Sequence, residues 1–173
     1  VDQHVVERPT KTSFLFIDVD WHHKDGYTNR QYDMKTIKNI IKEVNDILLN
    51  NFEIQKYQLK AFIHEKNEPT CENKTYKNKK SIKTYKDGFH IFYPDVPLSF
   101  EHRYFVLDKL SEIAKLKNIF KKIKYSNEYK TIFDTSIVMA NGILMYGSHK
   151  EGRVPYRVTR ILDHTIKDCP LEE

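Results

Sequence analysis

Residues 12–21, TSFLFIDVDW, decide how the rest of this chain is read. Residues 12–19 are rich in β-branched and aromatic side chains and too few to signal a free-standing helix, so they read as a buried strand. A polar, turn-rich segment follows at residues 22–29, HHKDGYTN, and reads as a loop. Side chains two apart on a strand share one face, which points Asp18 and Asp20 the same way with Val19 behind them. Two like charges a few ångströms apart at the end of a buried strand are costly unless a cation sits between them or one is protonated. A hard divalent metal answers that cost. The plainer alternative is a strand that has ended, leaving two solvated acids.

Working outward, Asp33 is placed to cap a helix whose apolar positions Ile37, Ile40, Ile41, Val44, Ile47 and Leu48 keep three-four spacing until Asn50 and Asn51. Residues 52–64 alternate in part (Ile54, Tyr57, Leu59, Ala61, Ile63) and predict a second strand. GFHIFY, residues 88–93, predicts a third, stopped by Pro94 and Pro97. Ser99 can cap a second helix running to about Lys122, with Phe100, Tyr104, Leu107, Leu110, Ile113 and Ala114 as its buried stripe. Residues 132–138, 142–146 and 154–162 are further strand candidates, the last two joined by the turn GSHKEG. Strands interspersed with two long helices give an α+β fold with a mixed or antiparallel sheet.

The 173 residues suit one domain, 1–173, and 39% hydrophobic residues against 31% charged ones supply a core while excluding collagen-like and wholly disordered chains. No apolar run approaches the roughly 20 residues that cross a bilayer, and no secretory or acylation pattern opens the chain, so a soluble intracellular protein without a membrane partner is expected. Cys71 and Cys169 stand far apart with no CxxC pattern, which agrees with the cytosol. Twenty-nine Lys and Arg against 24 Asp and Glu leave a net charge of +5, which favours a polyanion partner. The excess is concentrated in KTYKNKKSIKTYK, residues 74–86, with six lysines, no acid, and Tyr76 and Tyr85 interleaved. Residues 66–86 are therefore expected to form a basic flexible loop. Its lysines Lys74, Lys77, Lys79 and Lys80 are candidate contacts for a nucleic-acid backbone, and a merely solvated connection is the alternative.

Two more segments carry candidate chemistry. His90 lies on the third strand with Phe89 and Ile91 on the opposite face. Asp134 follows an apolar pair, and beyond it Gly147, Ser148 and Lys150 sit in a tight turn that can aim backbone N–H groups, a hydroxyl and an ammonium at phosphate oxygens, or can be an ordinary hairpin. His22, His23, His64 and Cys71 fit no compact zinc knuckle. Trp21 reads as a lid over the strand end.

In order and type these residues resemble the archaeo-eukaryotic primase superfamily, and most of all the primase domain of the primase-helicases of nucleocytoplasmic large DNA viruses. The first motif of that family, hydrophobic residues and then two acids one residue apart, matches FLFIDVD with Asp18 and Asp20. The second, a small residue, any residue and histidine, matches Gly88, Phe89 and His90, with glycine where serine is common; the lysine four positions before matches Lys86. The third, a hydrophobic residue and an acid, matches Phe133 and Asp134. A downstream tyrosine, serine and lysine at alternate positions match Tyr146, Ser148 and Lys150. The arginine that relatives commonly place just before that tyrosine is missing, which leaves Arg153, Arg157 and Arg160 as candidates for its role.

The resemblance implies an α+β catalytic core with an RRM-like module and flanking helices. It also implies a DNA primase, a template-directed nucleotidyltransferase that makes primers on single-stranded DNA from NTP or dNTP in viral DNA replication. Asp18, Asp20 and Asp134 would be catalytic and would hold two divalent ions, Mg2+ or Mn2+, while Lys86, His90, Ser148 and Lys150 would bind the nucleotide's phosphates. A helicase-type ATPase in the same full-length chain, and replication in the host cytoplasm, belong to that picture. Two rivals make different predictions: a non-catalytic RRM-like module binding single strands needs no three-carboxylate cluster, and a metal-dependent nuclease would use the same cluster to cut.

Overall fold

The protein is seen in a computed structural model that describes residues 5–23, 28–75, 81–139, 141–144, 146–150 and 153–170. Its elements run β1 (Val6–Glu7), β2 (Thr12–His23), α1 (Met34–Asn51), β3 (Ala61–Glu65), β4 (Thr70–Thr75), β5 (Ser81–Ser99), α2 (Phe100–Leu116), β6 (Ile143–Leu144), β7 (Arg157–Leu162) and β8 (Asp168–Cys169). The main sheet has the order β2-β5-β3-β7-β8, with β4 on the same edge of β5 that β3 occupies further along. Its pairings are antiparallel, and β1 pairs with β6 in a small separate ribbon.

Both helices start where the capping residues predict. Asp33 accepts from the Thr36 amide, and Ser99 from the His102 amide. Each cap satisfies an amide that the first helical turn leaves without a partner. The helix-side face of the sheet carries the core. Leu15, Ile17, Val19 and Trp21 of β2 and Phe89, Ile91 and Tyr93 of β5 are all 0% exposed. They meet Ile40, Ile41, Val44 and Leu48 of α1 and Val106, Leu107 and Leu110 of α2 in one cluster. Burial of each such side chain is worth roughly 1.5–3 kcal/mol. Trp21 is therefore a core residue between Tyr32, Phe89 and Phe120, and not a lid.

The structure corrects several boundaries. The first strand does not end at the acids. It continues to His23, its Asp20 amide donates to Ile132 O at 2.8 Å, and Asp18 stands opposite His90. β5 runs on through both prolines: Leu15 faces Tyr93 and Phe14 faces Pro97, so Pro94 falls among residues 94–96, left out of the ladder with β2, where its missing N–H costs nothing, and Pro97 resumes the ladder just past the register jump. Of residues 52–64 only Ala61–Glu65 is strand, preceded by a single 3-10 turn at Lys56–Gln58. Residues 132–138 are not a strand. The Asp134 carboxylate accepts from the Ser136 amide and hydroxyl and bends the chain into a 3-10 turn, Thr135–Val138, so that only Phe133 bridges to Val19. The second helix stops at Leu116, and Asn118 (φ 52°) takes the left-handed conformation just beyond it.

The expected loop at residues 66–86 is largely a hairpin, with β4 paired along the start of β5 from Thr70 opposite Lys86 to Thr75 opposite Ser81. The lysine content conceals the β-branched residues Thr70, Thr75, Ile82 and Thr84, and lysines are common on edge strands. Lys74 lies on β4; Lys77, Lys79 and Lys80 fall outside the described residues.

Candidate active site

The sheet face turned away from the helices is polar at one end. Phe16, Asp18 and Asp20 project there from β2; opposite them on β5 stand Phe92, His90 and Gly88. Gly88 is required by contact: a Cβ at that position would lie 1.9 Å from the Val19 carbonyl oxygen and 3.1 Å from Asp20 Oδ1. Glycine where the family pattern often has serine thus lets β5 press against β2 beside the acid.

Asp134 reaches the same place from a distant part of the sequence. Its amide donates to Asp18 O at 3.1 Å, so the third acid is tied by its backbone to the first. Asp18, Asp134, Lys86, His90, Ser148 and Lys150 line one cavity of about 520 Å3. Lys66, Arg153 and Tyr156 line it as well. The sequence reading missed Lys66 and Tyr156. Lys66 looked like the first residue of a basic loop, and its one signal was its position directly after the apolar strand that ends at Glu65. Tyr156 had none. Of the three candidate arginines, Arg153 lines the cavity, whereas Arg160 pairs with Asp168 at 3.0 Å and Arg157 points into solvent from β7.

The electrostatics are those of charges held out of water. Burial pushes Asp18 up to about 6, with Lys86 opposing and Asp134 adding to the rise. Asp20 also rises to about 6, from burial first and then from Asp18, against Lys86. His90 falls to about 3 because its ring is buried, so it is neutral at pH 7. That ring stacks on Tyr156 with centroids 3.7 Å apart, meets Phe16 edge-on, and places Nε2 at 3.5 Å from Asp18 Oδ1. Lys66 holds its ammonium 4.6 Å from the centre of the Tyr156 ring on its other contact, and burial lowers its pKa.

Whether these acids suit a metal can be read from their oxygens. Asp18 Oδ1 and Asp20 Oδ1 are buried with no hydrogen-bond partner, the condition a hard cation relieves. The pair fits. The third acid is differently engaged, since Asp134 Oδ1 accepts two bonds from Ser136, and the Lys86 ammonium contacts Asp20 Oδ2. Among the described residues no group of three His, Cys, Asp or Glu side chains is arranged to hold a metal ion. Lys86, expected to serve phosphates, is here on an acid.

Other sequence candidates separate. Tyr146 does not enter the cavity; it is 68% exposed and lines a neighbouring apolar cleft of about 360 Å3 with Phe62, His64, Phe92 and Leu144. In that cleft His64 stacks on Phe92 at 4.3 Å. His23 is buried with Nδ1 against the Lys124 carbonyl, and Cys71 is exposed on β4. Among the described residues no helix is long and apolar enough to cross a membrane.

An antiparallel sheet with two helices on one face, and on the other an acid pair opposite a strand histidine in a cavity rimmed with cations, is the arrangement of an archaeo-eukaryotic primase core. The chain belongs to that class through the family described as the C962R protein N-terminal AEP domain, which matches residues 1–162. It is also 27% identical over 157 residues to the putative helicase L207/L206 of Acanthamoeba polyphaga mimivirus, a match covering 90% of this chain and 15% of that relative. The chain thus spans a small part of the relative's length.

Proposed function

We propose that this domain, residues 1–173 of a longer primase-helicase chain, is a template-directed nucleotidyltransferase that synthesises primers on single-stranded DNA. The observation that carries the reading is the single cavity in which Asp18, Asp134 and His90 meet Lys66, Lys86, Lys150 and Arg153. Acids alone would suit many metal sites, and cations alone would suit any anion. Together they suit a substrate that is a polyphosphate carrying divalent metal.

Asp18, Asp20 and Asp134 would hold Mg2+ or Mn2+. When bound, such ions activate an attacking 3'-hydroxyl and neutralise a leaving pyrophosphate. The protein's own groups do the positioning. Ser148, buried in the cavity wall, and exposed Lys150 donate to phosphate oxygens, and Arg153 takes the place of the arginine absent before Tyr146. His90, neutral and clamped by Tyr156, donates one N–H in a fixed direction without bringing a charge that would compete with metal. Ring faces in the cleft of Phe62, His64, Phe92 and Tyr146 suit unpaired bases, while Lys74, Lys77, Lys79 and Lys80 follow the template backbone. A relative called a helicase supports an ATPase elsewhere in the full chain, and its viral source supports replication in host cytoplasm.

The test is incubation of the domain with labelled nucleotides, Mn2+ and a single-stranded template. Extension products support the reading; cleavage of the template points to a nuclease, and retention without either product points to a binding module.

A further inference from the structure

A divalent ion approaching Asp18 and Asp20 meets a cation already in place. Asp20 pairs across the ladder with Gly88, so Lys86, two residues earlier on β5, is its diagonal neighbour on the same face. No side chain at Gly88 stands between them, and the Lys86 ammonium rests on Asp20 Oδ2. The lysine side chain is 32% exposed and the Asp20 side chain 10%, so the lysine is the less enclosed member of the pair. Asp18 Oδ1 and Asp20 Oδ1, deeper in, have no hydrogen-bond partner. Lys66, the half-buried lysine of the same cavity, does not share this post, because its Nζ is placed on Thr70 Oγ1 and the Tyr156 ring.

We propose that Lys86 is a place-holding cation, which neutralises the acid pair in the free protein and is drawn off it by the phosphates of an incoming nucleotide, so that metal and nucleotide bind interdependently. The proposal rests on the nucleotidyltransferase reading for the identity of the second ligand, but its first half concerns the free protein alone. An ammonium and a divalent ion on one carboxylate repel each other at a few ångströms, so the metal has to compete with Lys86 until an incoming anion draws the lysine away. A triphosphate supplies that anion within the same cavity, whose wall includes Lys86. Thermodynamic linkage then makes the effect reciprocal: whatever factor nucleotide adds to metal affinity, metal adds to nucleotide affinity. Lys86 would thereby keep the acids from capturing metal before substrate arrives.

The experiment measures Mn2+ binding by calorimetry or by loss of the free-ion EPR signal, without turnover. In the free protein, Lys86→Met should bind Mn2+ about tenfold more tightly than the unaltered chain, and Lys86→Gln should do the same, while Lys86→Arg should bind as weakly as the unaltered chain. A non-hydrolysable nucleoside triphosphate should strengthen Mn2+ binding about tenfold in the unaltered chain and less than about threefold in Lys86→Met. Thermal melts identify a variant that has lost its fold, in which case the Gln variant decides. Equal or weaker Mn2+ affinity in the neutral variants, or an undiminished nucleotide effect, overturns the proposal. A chain that shows the Mn2+ shift yet incorporates no nucleotide overturns the polymerase reading instead, so the two failures are distinct.

Discussion

The two faces of β2 share one backbone and one hydrogen-bond ladder, yet they are built to opposite rules. On the helix side Leu15, Ile17, Val19 and Trp21 are wholly buried among apolar neighbours. On the cavity side Asp18 and Asp20 are nearly as enclosed, and burial lifts both to about 6. The first face supplies stability; the second holds two carboxylates out of water at a cost to it. The cavity lies on the face that the helices leave uncovered, because α1 and α2 both pack on the other.

That contrast breaks most visibly if the acids are made neutral. The double change Asp18→Asn, Asp20→Asn should abolish nucleotide incorporation, a loss of at least about a thousandfold, while the protein melts at the same or a higher temperature because like-charge repulsion is gone. Incorporation assays beside melting curves check both halves, and a variant that keeps polymerising would remove these acids from the chemistry. The opposite face should give the opposite result. Ile17→Ala leaves a cavity in the core and should cost about 2–5 kcal/mol in chemical denaturation, with the acid pair untouched.

His90→Ala probes the boundary between the two rules, since the ring is packed against Phe16 and Tyr156 yet faces Asp18. It should lower kcat/KM for nucleotide by roughly 10 to 100 fold, chiefly through KM, with Mn2+ binding to the free protein barely changed. Unfolding of this variant would make His90 a core residue only.

The smallest effect is in pH dependence. Asp18 and Asp20 have folded pKa values above the usual carboxylate value of 3.8, so their contribution favours folding below that value and is lost as pH rises through about 6. His90 and His64 have values depressed to about 3 and about 4, so theirs is present above the usual 6.5 and is lost as pH falls toward those values. In the natural chain the two trends offset between pH 6.5 and 4. Without the acids only the histidine trend remains, so the melting temperature of the double Asn variant should exceed that of the natural chain at pH 7.5 and lose that lead as pH drops to 4. A constant difference would contradict the burial of the pair.

Much of this arrangement was legible in the sequence because the signals were local. Asp33 and Ser99 mark helix starts by cap chemistry, residues 12–19 announce a strand by their β-branched and aromatic side chains, and the two-residue spacing of Asp18 and Asp20 puts both acids on one face. The sheet edge was less legible. Lysine-rich composition conceals a hairpin whose stability comes from pairing with β5, and prolines that end most strands are passed by a jump in register. The stretch after Phe133 departs from a strand for a related reason, since the Asp134 carboxylate, accepting from both the amide and the hydroxyl of Ser136, turns a β-branched run into a 3-10 turn.

The sequence by itself determined the α+β class, the acid pair on a shared face, and several of the residues that line the cavity, because capping, alternation and short motifs act between near neighbours in the chain. Only the tertiary structure decided which residues meet there. Asp134 joins Asp18 through a backbone bond across 116 positions, Lys66 and Tyr156 close around His90, Tyr146 turns to a different cleft, and Lys86 settles on Asp20. Those contacts follow from strand order and register, which are set by the packing of the whole sheet against its helices and leave no periodic trace in the sequence.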